Sequence, residues 1–219
     1  MHSVLDEWFE TEVRPRLRGQ AFLIRYADDF LIGVAREDDA RRIMDVLPKR
    51  MSKYGLTIHP EKTRLVRFEP ADGADTDPTG PSPTAPGTFD FLGFTHSWGR
   101  SQRGAWVVKR KTAKGRLQRA LQALSAWCRE NFHRPIAEQH QVLSQKLRGH
   151  YGYYGIIGNL SSLQNFLEET RKIWRRGLSR RRRDGQISWL DFLRLEKRYS
   201  LPRPRITYQI VGLGGAAKS

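Results

Sequence analysis

The chain has 219 residues, of which 38% are hydrophobic and 11% aromatic. This composition can build the core of one large domain or two small ones, and it excludes wholesale disorder. The formal net charge of +16 indicates a polyanionic partner. The single cysteine, Cys128, excludes an internal disulfide and fits a reducing compartment.

The charge is divided unevenly along the chain. Residues 1–99 carry 13 basic and 16 acidic side chains, a net of −3, whereas residues 100–219 carry 26 basic and 7 acidic ones, a net of +19. The asymmetry predicts a binding half joined to a half with another function. The alternative is a solvated basic face that has no special partner.

No part of the sequence indicates a membrane segment or a targeting signal. The longest apolar runs fall well short of the ~20 residues that a bilayer span requires. The N-terminal residues are acidic and lack the Arg-rich or apolar pattern of a leader. We therefore expect a soluble, cytoplasmic protein that does not contact membranes.

The first elements predict a helix followed by a β-hairpin. Apolar residues at helical spacing predict a helix over 4–17, with Ser3 as a possible N-cap and the four acids Asp6, Glu7, Glu10 and Glu12 on its polar face. Two short apolar runs, 21–26 and 30–35, then flank Ala27, Asp28 and Asp29. This pattern indicates a hairpin with two carboxylates at its tip.

The next segments predict a helix and then short strands. A helix capped by Asp38 or Asp39 should run to about Tyr54, although Pro48 conflicts mildly with it. Its buried stripe would be Ile43, Leu47 and Met51, and Gly55 would follow its C-terminal end. Residues 56–68 predict strand, turn and strand. Five of the chain's 11 prolines fall within residues 69–88, which predicts an extended surface loop.

Strands are predicted at 89–96 and 105–109, joined by a turn around 99–104, and four helices follow from residue 112 onward. The second helix starts at Pro135, the third spans about 162–174, and the fourth begins at the cap Ser188. The expected fold class is therefore α+β, with a helical bundle after about residue 110.

Tyr26-Ala27-Asp28-Asp29 is the sharpest chemical signal. Adjacent carboxylates on a tight turn repel one another unless water or a divalent cation screens them. Hard oxygen ligands of this kind suit Mg²⁺, and two-metal phosphoryl transfer uses carboxylates from more than one segment. The tetrapeptide alone is weak evidence and is more typical of a solvated Asp-Asp turn, so the surrounding sequence has to decide.

That sequence resembles a known family. FLIRYADDFLIGV (22–34) is similar to the catalytic hairpin of group II intron-type reverse transcriptases. GLTIHPEKTRLVRF (55–68) and FDFLGFTH (89–96) resemble the two segments that follow the hairpin in that family, the second of them being the primer grip. QKLRGHYGYYG (145–155) resembles its thumb, or maturase, domain.

The resemblance implies a partial polymerase palm over 1–110, a helical thumb over 111–200 and a basic tail over 201–219. It also implies roles for single residues. Asp28, supported by Asp29, would coordinate Mg²⁺, and Lys62 would lie near the incoming triphosphate. Those expected to position the primer are Tyr26, Ala27, Phe91, Leu92, Gly93 and Phe94.

Two of these assignments have plainer alternatives. Lys62 would otherwise be a solvated turn lysine, and the aromatic residues of the primer grip would otherwise only pack in a core. The implied partners are an RNA template and a DNA primer.

The basic half has its own expected function. Arg-rich stretches with interleaved aromatic side chains suit phosphate contact and base stacking, and Trp174 lies in such a stretch. The candidate RNA-binding residues are Lys146, Arg148, Arg175, Arg176, Arg180, Arg181, Arg182 and Arg183.

One part of the family pattern has no counterpart in the sequence. The resemblance calls for an earlier strand that carries the first catalytic aspartate, but only 25 residues precede Tyr26 and they predict a helix. The expectation is a truncated family member, with a second polypeptide as a possible source of the missing half. Such a palm would expose apolar surface.

Three functions follow from these observations. The first is an RNA-directed DNA polymerase, or one component of it. The second is a maturase-like module that binds intron RNA without polymerising. The third is a non-specific nucleic-acid binder from a decaying mobile element. For the chain by itself, the sequence favours RNA binding over polymerisation.

Overall fold

The structure, a computed structural model, describes residues 2–70, 87–181 and 185–208. Most of the predicted loop 69–88, the residues Arg182 and Arg183, and the end of the predicted tail lie outside these ranges. The described residues form a mixed α+β fold with two small sheets, which confirms the predicted class. Chain contacts define two units, Met1–Leu92 with His96–Val108 (unit 1) and Gly93–Thr95 with Lys109–Ser219 (unit 2).

Unit 1 begins with a helical segment of unusual winding. Two π-helical turns, His2–Asp6 and Phe9–Val13, are followed by a 3₁₀ turn over Arg14–Arg16. The apolar stripe is buried as predicted, with Leu5 and Phe9 fully inaccessible to solvent. The prediction of Ser3 as N-cap is wrong, because the helical turns already begin at His2.

The hairpin follows directly. Strands β1 (Ala21–Tyr26) and β2 (Asp29–Val34) pair antiparallel, with Ala21 opposite Val34 and Tyr26 opposite Asp29. One face of this two-stranded sheet packs on the apolar side of the helical segments, where Leu23 and Ile32 contribute to the core. The other face is open.

Helix α1 (Glu37–Ser52) buries Ile43, Leu47 and Met51, as predicted. Its N-cap is Arg36, so the prediction of a cap at Asp38 or Asp39 is wrong. Pro48 lies inside the helix near its end, where the lost backbone hydrogen bond does not stop the helix before Ser52.

Asp39 does not cap α1 but accepts hydrogen bonds from the backbone before β1. Its side chain is 1% exposed, and its Oδ2 accepts hydrogen bonds from the backbone N–H groups of Arg18 (2.9 Å) and Gly19 (3.1 Å). A buried carboxylate is costly unless hydrogen bonds compensate it. These bonds therefore fix α1 against the entry to β1.

Residues 56–68 contain no strand, so the prediction of two strands there is wrong. The turn between them is present, since the N–H groups of Lys62 and Thr63 both donate to the His59 carbonyl. Beyond the turn, Gly87 donates one backbone hydrogen bond to Arg67 (3.1 Å), and Phe68 packs edge-on against Phe89 at 4.9 Å. Side-chain packing replaces a ladder there.

The second sheet has the order β3 (Phe89–Phe91), β4 (Phe94–Arg100) and β5 (Trp106–Thr112). The predicted single strand over 89–96 is thus two strands joined at Leu92 and Gly93. Both turn residues have positive φ, 50° and 80° respectively. Such a two-residue turn folds the chain back on itself.

Unit 2 contains the four predicted helices: α2 (Lys114–Glu130), α3 (Ile136–Tyr154), α4 (Leu160–Ser179) and α5 (Trp189–Arg198). Ser188 caps α5, accepting from the Asp191 N–H as predicted. Asn159 joins β5 to the start of α4, because its amide accepts from Thr112 N (2.8 Å) and donates to Thr112 Oγ1 (2.8 Å).

The described part of the predicted tail is packed rather than free. Leu201 is buried in the core of unit 2, and Tyr151 Oη donates to the Pro202 carbonyl at 3.2 Å. The N–H groups of Thr207 and Tyr208 donate to the Gly155 carbonyl at 2.7 and 3.0 Å. Residues 201–208 therefore belong to the helical bundle.

His150 is a half-buried titratable side chain of this bundle. Its ring stacks on Phe166, with 3.8 Å between the centroids, and its Nε2 has no hydrogen-bond partner among the described residues. Burial lowers the pKa of His150 from 6.5 to about 4. The neutral ring is the form that the folded state accommodates.

We expect the free energy of unfolding to fall as the pH drops from 6.5 to about 4, because the unfolded chain binds a proton at His150 in that window and the folded chain does not. His150→Phe keeps an aromatic ring against Phe166 and should remove this dependence at a cost below ~1.5 kcal/mol near neutral pH. Urea unfolding followed by circular dichroism across this pH range measures both.

The matched control is His133→Gln, which changes an exposed histidine of the same unit. It should leave the pH dependence as in the unchanged protein. If His150→Phe also leaves it unchanged, the burial argument for His150 is wrong.

Candidate functional site

The tip of the first hairpin presents its carboxylates to solvent. Ala27 and Asp28 form the two-residue turn, and Asp29 begins β2 opposite Tyr26. Tyr26, Ala27, Asp28 and Asp29 are all exposed. Ala27 has a left-handed φ of 55°, a conformation that strains a residue with a Cβ.

Arg25 supports this turn from below. Its Nη1 donates to the Ala27 carbonyl at 2.9 Å, while its Nε and Nη2 donate to the two carboxylate oxygens of Asp6 at 2.7 and 2.6 Å. Asp6 lies in the first helical turns, so one guanidinium ties that helix to the residue that precedes Asp28. The bidentate fork fixes geometry as well as charge.

The ion pair with Arg25 also changes the acidity of the Asp6 carboxyl group. Hydrogen bonding from Arg25 lowers the pKa of Asp6 from 3.8 to about 2. Asp6 differs from the exposed Glu7, Glu10 and Glu12, because its side chain turns toward β1 and pairs with Arg25. Strand alternation carried the signal: Arg25 shares the inward face with Ala21 and Leu23, where a charge requires a partner.

The open face of the hairpin is apolar. Phe22, Ile24 and Tyr26 are 53%, 48% and 67% exposed. They alternate with the inward residues of β1, so they lie on the same face as the start of β2 and Asp29. This face of the hairpin therefore presents three large apolar side chains to solvent.

The remaining predicted residues of the site are placed as follows. Lys62 is exposed within the turn that follows His59. Phe91 ends β3, Leu92 and Gly93 form the turn, and Phe94 begins β4.

Packing against other residues of unit 2 explains why a glycine and an aromatic residue occupy positions 93 and 94. A Cβ on Gly93 would lie 3.0 Å from the Tyr154 hydroxyl, and the positive φ would strain any other residue there. The Phe94 ring stacks on Tyr153 with 6.0 Å between centroids and meets Tyr154 edge-on at 5.3 Å. This geometry favours the packing role for Phe94, which is compatible with holding a primer.

The predicted RNA-binding residues fall into two groups. Lys146, Arg148, Arg176, Arg180 and Arg181 are exposed on α3, on α4 and just beyond α4. Arg182 and Arg183 lie outside the described residues.

Arg175 and Trp174 are engaged within the bundle. The Nη1 of Arg175 donates to the Ile187 carbonyl at 2.6 Å, and its guanidinium lies 4.5 Å from the Trp189 ring centre. Trp174 is fully buried and donates from Nε1 to Gln139 Oε1 at 3.0 Å. The suggestion that Trp174 stacks on bases is therefore wrong, and Arg175 stabilises the start of α5.

The carboxylates at the hairpin tip suit Mg²⁺ in ligand type but not in number. Within residues 2–70, 87–181 and 185–208, no group of three or more His, Cys, Asp or Glu side chains could hold a metal ion. Asp28 and Asp29 supply hard oxygen donors from a single segment. They would form part of a metal site rather than all of it.

Comparison with known proteins places the hairpin in a family context. Residues 1–96 match the family model described as reverse transcriptase (RNA-dependent DNA polymerase), a range that includes the hairpin, Lys62 and the Phe91–Phe94 turn. Among curated proteins and solved structures, none matches the chain significantly. None of the helices in the described part of the chain is both long and apolar enough to cross a membrane.

The Asp6–Arg25 pair predicts a specific acid response. Its contribution to stability should be complete above about pH 5 and should disappear as the pH falls from 3.8 toward 2, because Asp6 is protonated more readily in the unfolded chain. The difference in unfolding free energy between the unchanged protein and Asp6→Asn should therefore shrink in that window.

Acid unfolding of both proteins measures this difference, with Glu7→Gln as the control at an exposed neighbouring acid. Glu7→Gln should show no matching change. A difference for Asp6→Asn that stays constant between about pH 5 and pH 2 would contradict the ion pair.

Proposed function

We propose that this chain is a component of a group II intron-type reverse transcriptase, in which unit 1 supplies the catalytic hairpin and unit 2 binds RNA. The observation that carries the proposal is the family match over residues 1–96, which contains the exposed Asp28–Asp29 tip. The helical unit that follows, with the thumb-like sequence 145–155, supports the group II intron type.

In this proposal the hairpin contributes metal ligands. Asp28 holds one side of a Mg²⁺ site, and Asp29 supports it from the first position of β2. When bound, the metal neutralises charge that develops on the transferred phosphoryl group. A further carboxylate, supplied by another polypeptide, would complete the site.

The other residues of unit 1 act on the substrates. Lys62 provides a mobile positive charge for the incoming triphosphate, consistent with its exposed turn. The turn at Leu92 and Gly93 would hold the primer end, flanked by Phe91 and Phe94. The template would be RNA and the primer DNA.

Unit 2 binds the RNA. The net charge of +19 over residues 100–219 supplies the long-range attraction. Lys146, Arg148, Arg176, Arg180 and Arg181 are the exposed side chains on which we base the assignment. Arg175 acts indirectly, because it fixes the end of α4 to the start of α5.

A maturase-like role without polymerisation is the second candidate. The incomplete set of carboxylates among the described residues favours it for the chain acting by itself. The two functions depend on different residues. Polymerisation needs Asp28, whereas RNA binding depends on the basic unit.

Primer extension on an RNA template with Mg²⁺ separates the two functions. We expect the purified chain to bind the template without extending the primer, because one pair of adjacent carboxylates does not hold two metals. Asp28→Ala should bind the RNA within about twofold of the unchanged protein, since each phosphate contact is made by basic residues elsewhere.

Asp45→Ala, at an exposed acid on α1, is the matched control and should behave like the unchanged protein. Extension that is lost only in Asp28→Ala would show that the chain completes the metal site alone or as an oligomer, against this account. If none of the three proteins, including the unchanged one, binds the RNA, the RNA-binding proposal is wrong.

A further inference from the structure

Three arginines converge on a small concavity between α2 and α4. Arg129 lies near the end of α2, and Arg176 and Arg180 lie one helical turn apart at the end of α4. We call these three side chains and the concavity of about 90 Å³ that they line the arginine notch. The other lining residues are Ser125, Cys128, Ile173 and Gly177.

A close helix contact forms the floor of the arginine notch. A Cβ built on Gly177 would lie 3.6 Å from Cys128 Cβ, so the two helices pack at van der Waals distance there. Burial raises the pKa of the Cys128 thiol to about 11, which keeps the floor uncharged at neutral pH. The positive charge at the rim is therefore not offset from below.

None of the three guanidinium groups has an ion-pair or hydrogen-bond partner within the ranges that the structure describes. Other arginines of unit 2 do have such partners. Arg171 pairs with Glu196 at 2.6 Å, and Arg194 pairs with Asp191 at 3.2 Å. Three unpaired cations around one concavity repel one another, and a bound anion would relieve this repulsion.

Helix ends offer a simpler explanation for part of this pattern. Basic side chains in the last turn of a helix interact favourably with the helix dipole, and Arg129 and Arg176 each occupy such a turn. The dipole accounts for one cation on each helix. It does not account for three arginines that line the same concavity, one of which lies just beyond α4.

The size and chemistry of the arginine notch select its ligand. Guanidinium groups bind phosphate through parallel N–H donors. Sites for whole small molecules usually measure about 300–1,000 Å³, so a concavity of about 90 Å³ fits a single phosphate group rather than a nucleotide. The surrounding excess of positive charge favours a polyanion over a free ion.

We infer that the arginine notch binds one backbone phosphate of a polynucleotide, which it anchors between the ends of α2 and α4. This inference rests on the proposed RNA-binding function of unit 2 and names a contact within it. It adds Arg129 to the binding residues, and it assigns Arg176 and Arg180 to one shared phosphate.

The test replaces all three arginines together (R129Q, R176Q and R180Q) and measures binding of a fluorescent RNA oligonucleotide by anisotropy at several salt concentrations. We expect affinity to fall by roughly tenfold. The slope of log K against log salt should drop by about one, the value for one lost phosphate contact.

A control of equal charge loss replaces three exposed cations of unit 2 outside the arginine notch (R134Q, K197Q and R203Q). Circular dichroism and thermal melting establish that both variants are folded. An effect of the notch variant no larger than that of the control overturns the inference, while RNA binding by the unchanged protein leaves the proposed function standing.

A second measurement reports on the arginine notch directly, even if the RNA also contacts other parts of the protein. The arginine Nε–Hε resonances of the notch are followed by nuclear magnetic resonance during titration with the oligonucleotide, with its uncharged methylphosphonate analogue and with inorganic phosphate. Shifts caused by the charged oligonucleotide at far lower concentration than by phosphate support the inference. Equal responses to phosphate, or no shift with any ligand, overturn it.

Discussion

The guanidinium of Arg25 is the contact on which the candidate site depends. It joins Asp6 in the first helical turns to the carbonyl of Ala27, directly before Asp28. The turn needs such a support, because Ala27 is held in a left-handed conformation and two adjacent carboxylates repel each other at its end. Asp39 adds a second tie by fixing α1 to the start of β1.

The two units of the chain carry opposite electrostatic roles. Acidic side chains predominate over residues 1–99, and the carboxylate pair at the hairpin tip suits a cation. Unit 2 combines a well-packed core around Trp174 and Leu147 with a surface rich in basic side chains.

Long apolar periodicities predicted the helices, and local sequence predicted the carboxylate tip, whereas the turn at Leu92 and Gly93 divides what the sequence predicted as one strand. The prediction of strands over residues 56–68 is wrong because alternating apolar and polar residues indicated strands. In the structure, Phe68 packs against another side chain and the segment has no partner strand. The Asp6–Arg25 pair spans 19 residues, and the burial of Trp174 depends on Gln139 from another helix. Such contacts are set by tertiary packing, which local periodicity does not encode.

Photocrosslinking of RNA to the full-length chain, followed by mass spectrometry of the crosslinked peptides, tests the central claim most directly, namely that the helical unit is the RNA-binding part. The account predicts crosslinks concentrated in α2 and α4, and fewer crosslinks in the peptides around Arg176 when the notch arginines are replaced. Crosslinks concentrated within residues 1–92, with the helical unit unmodified, would contradict it.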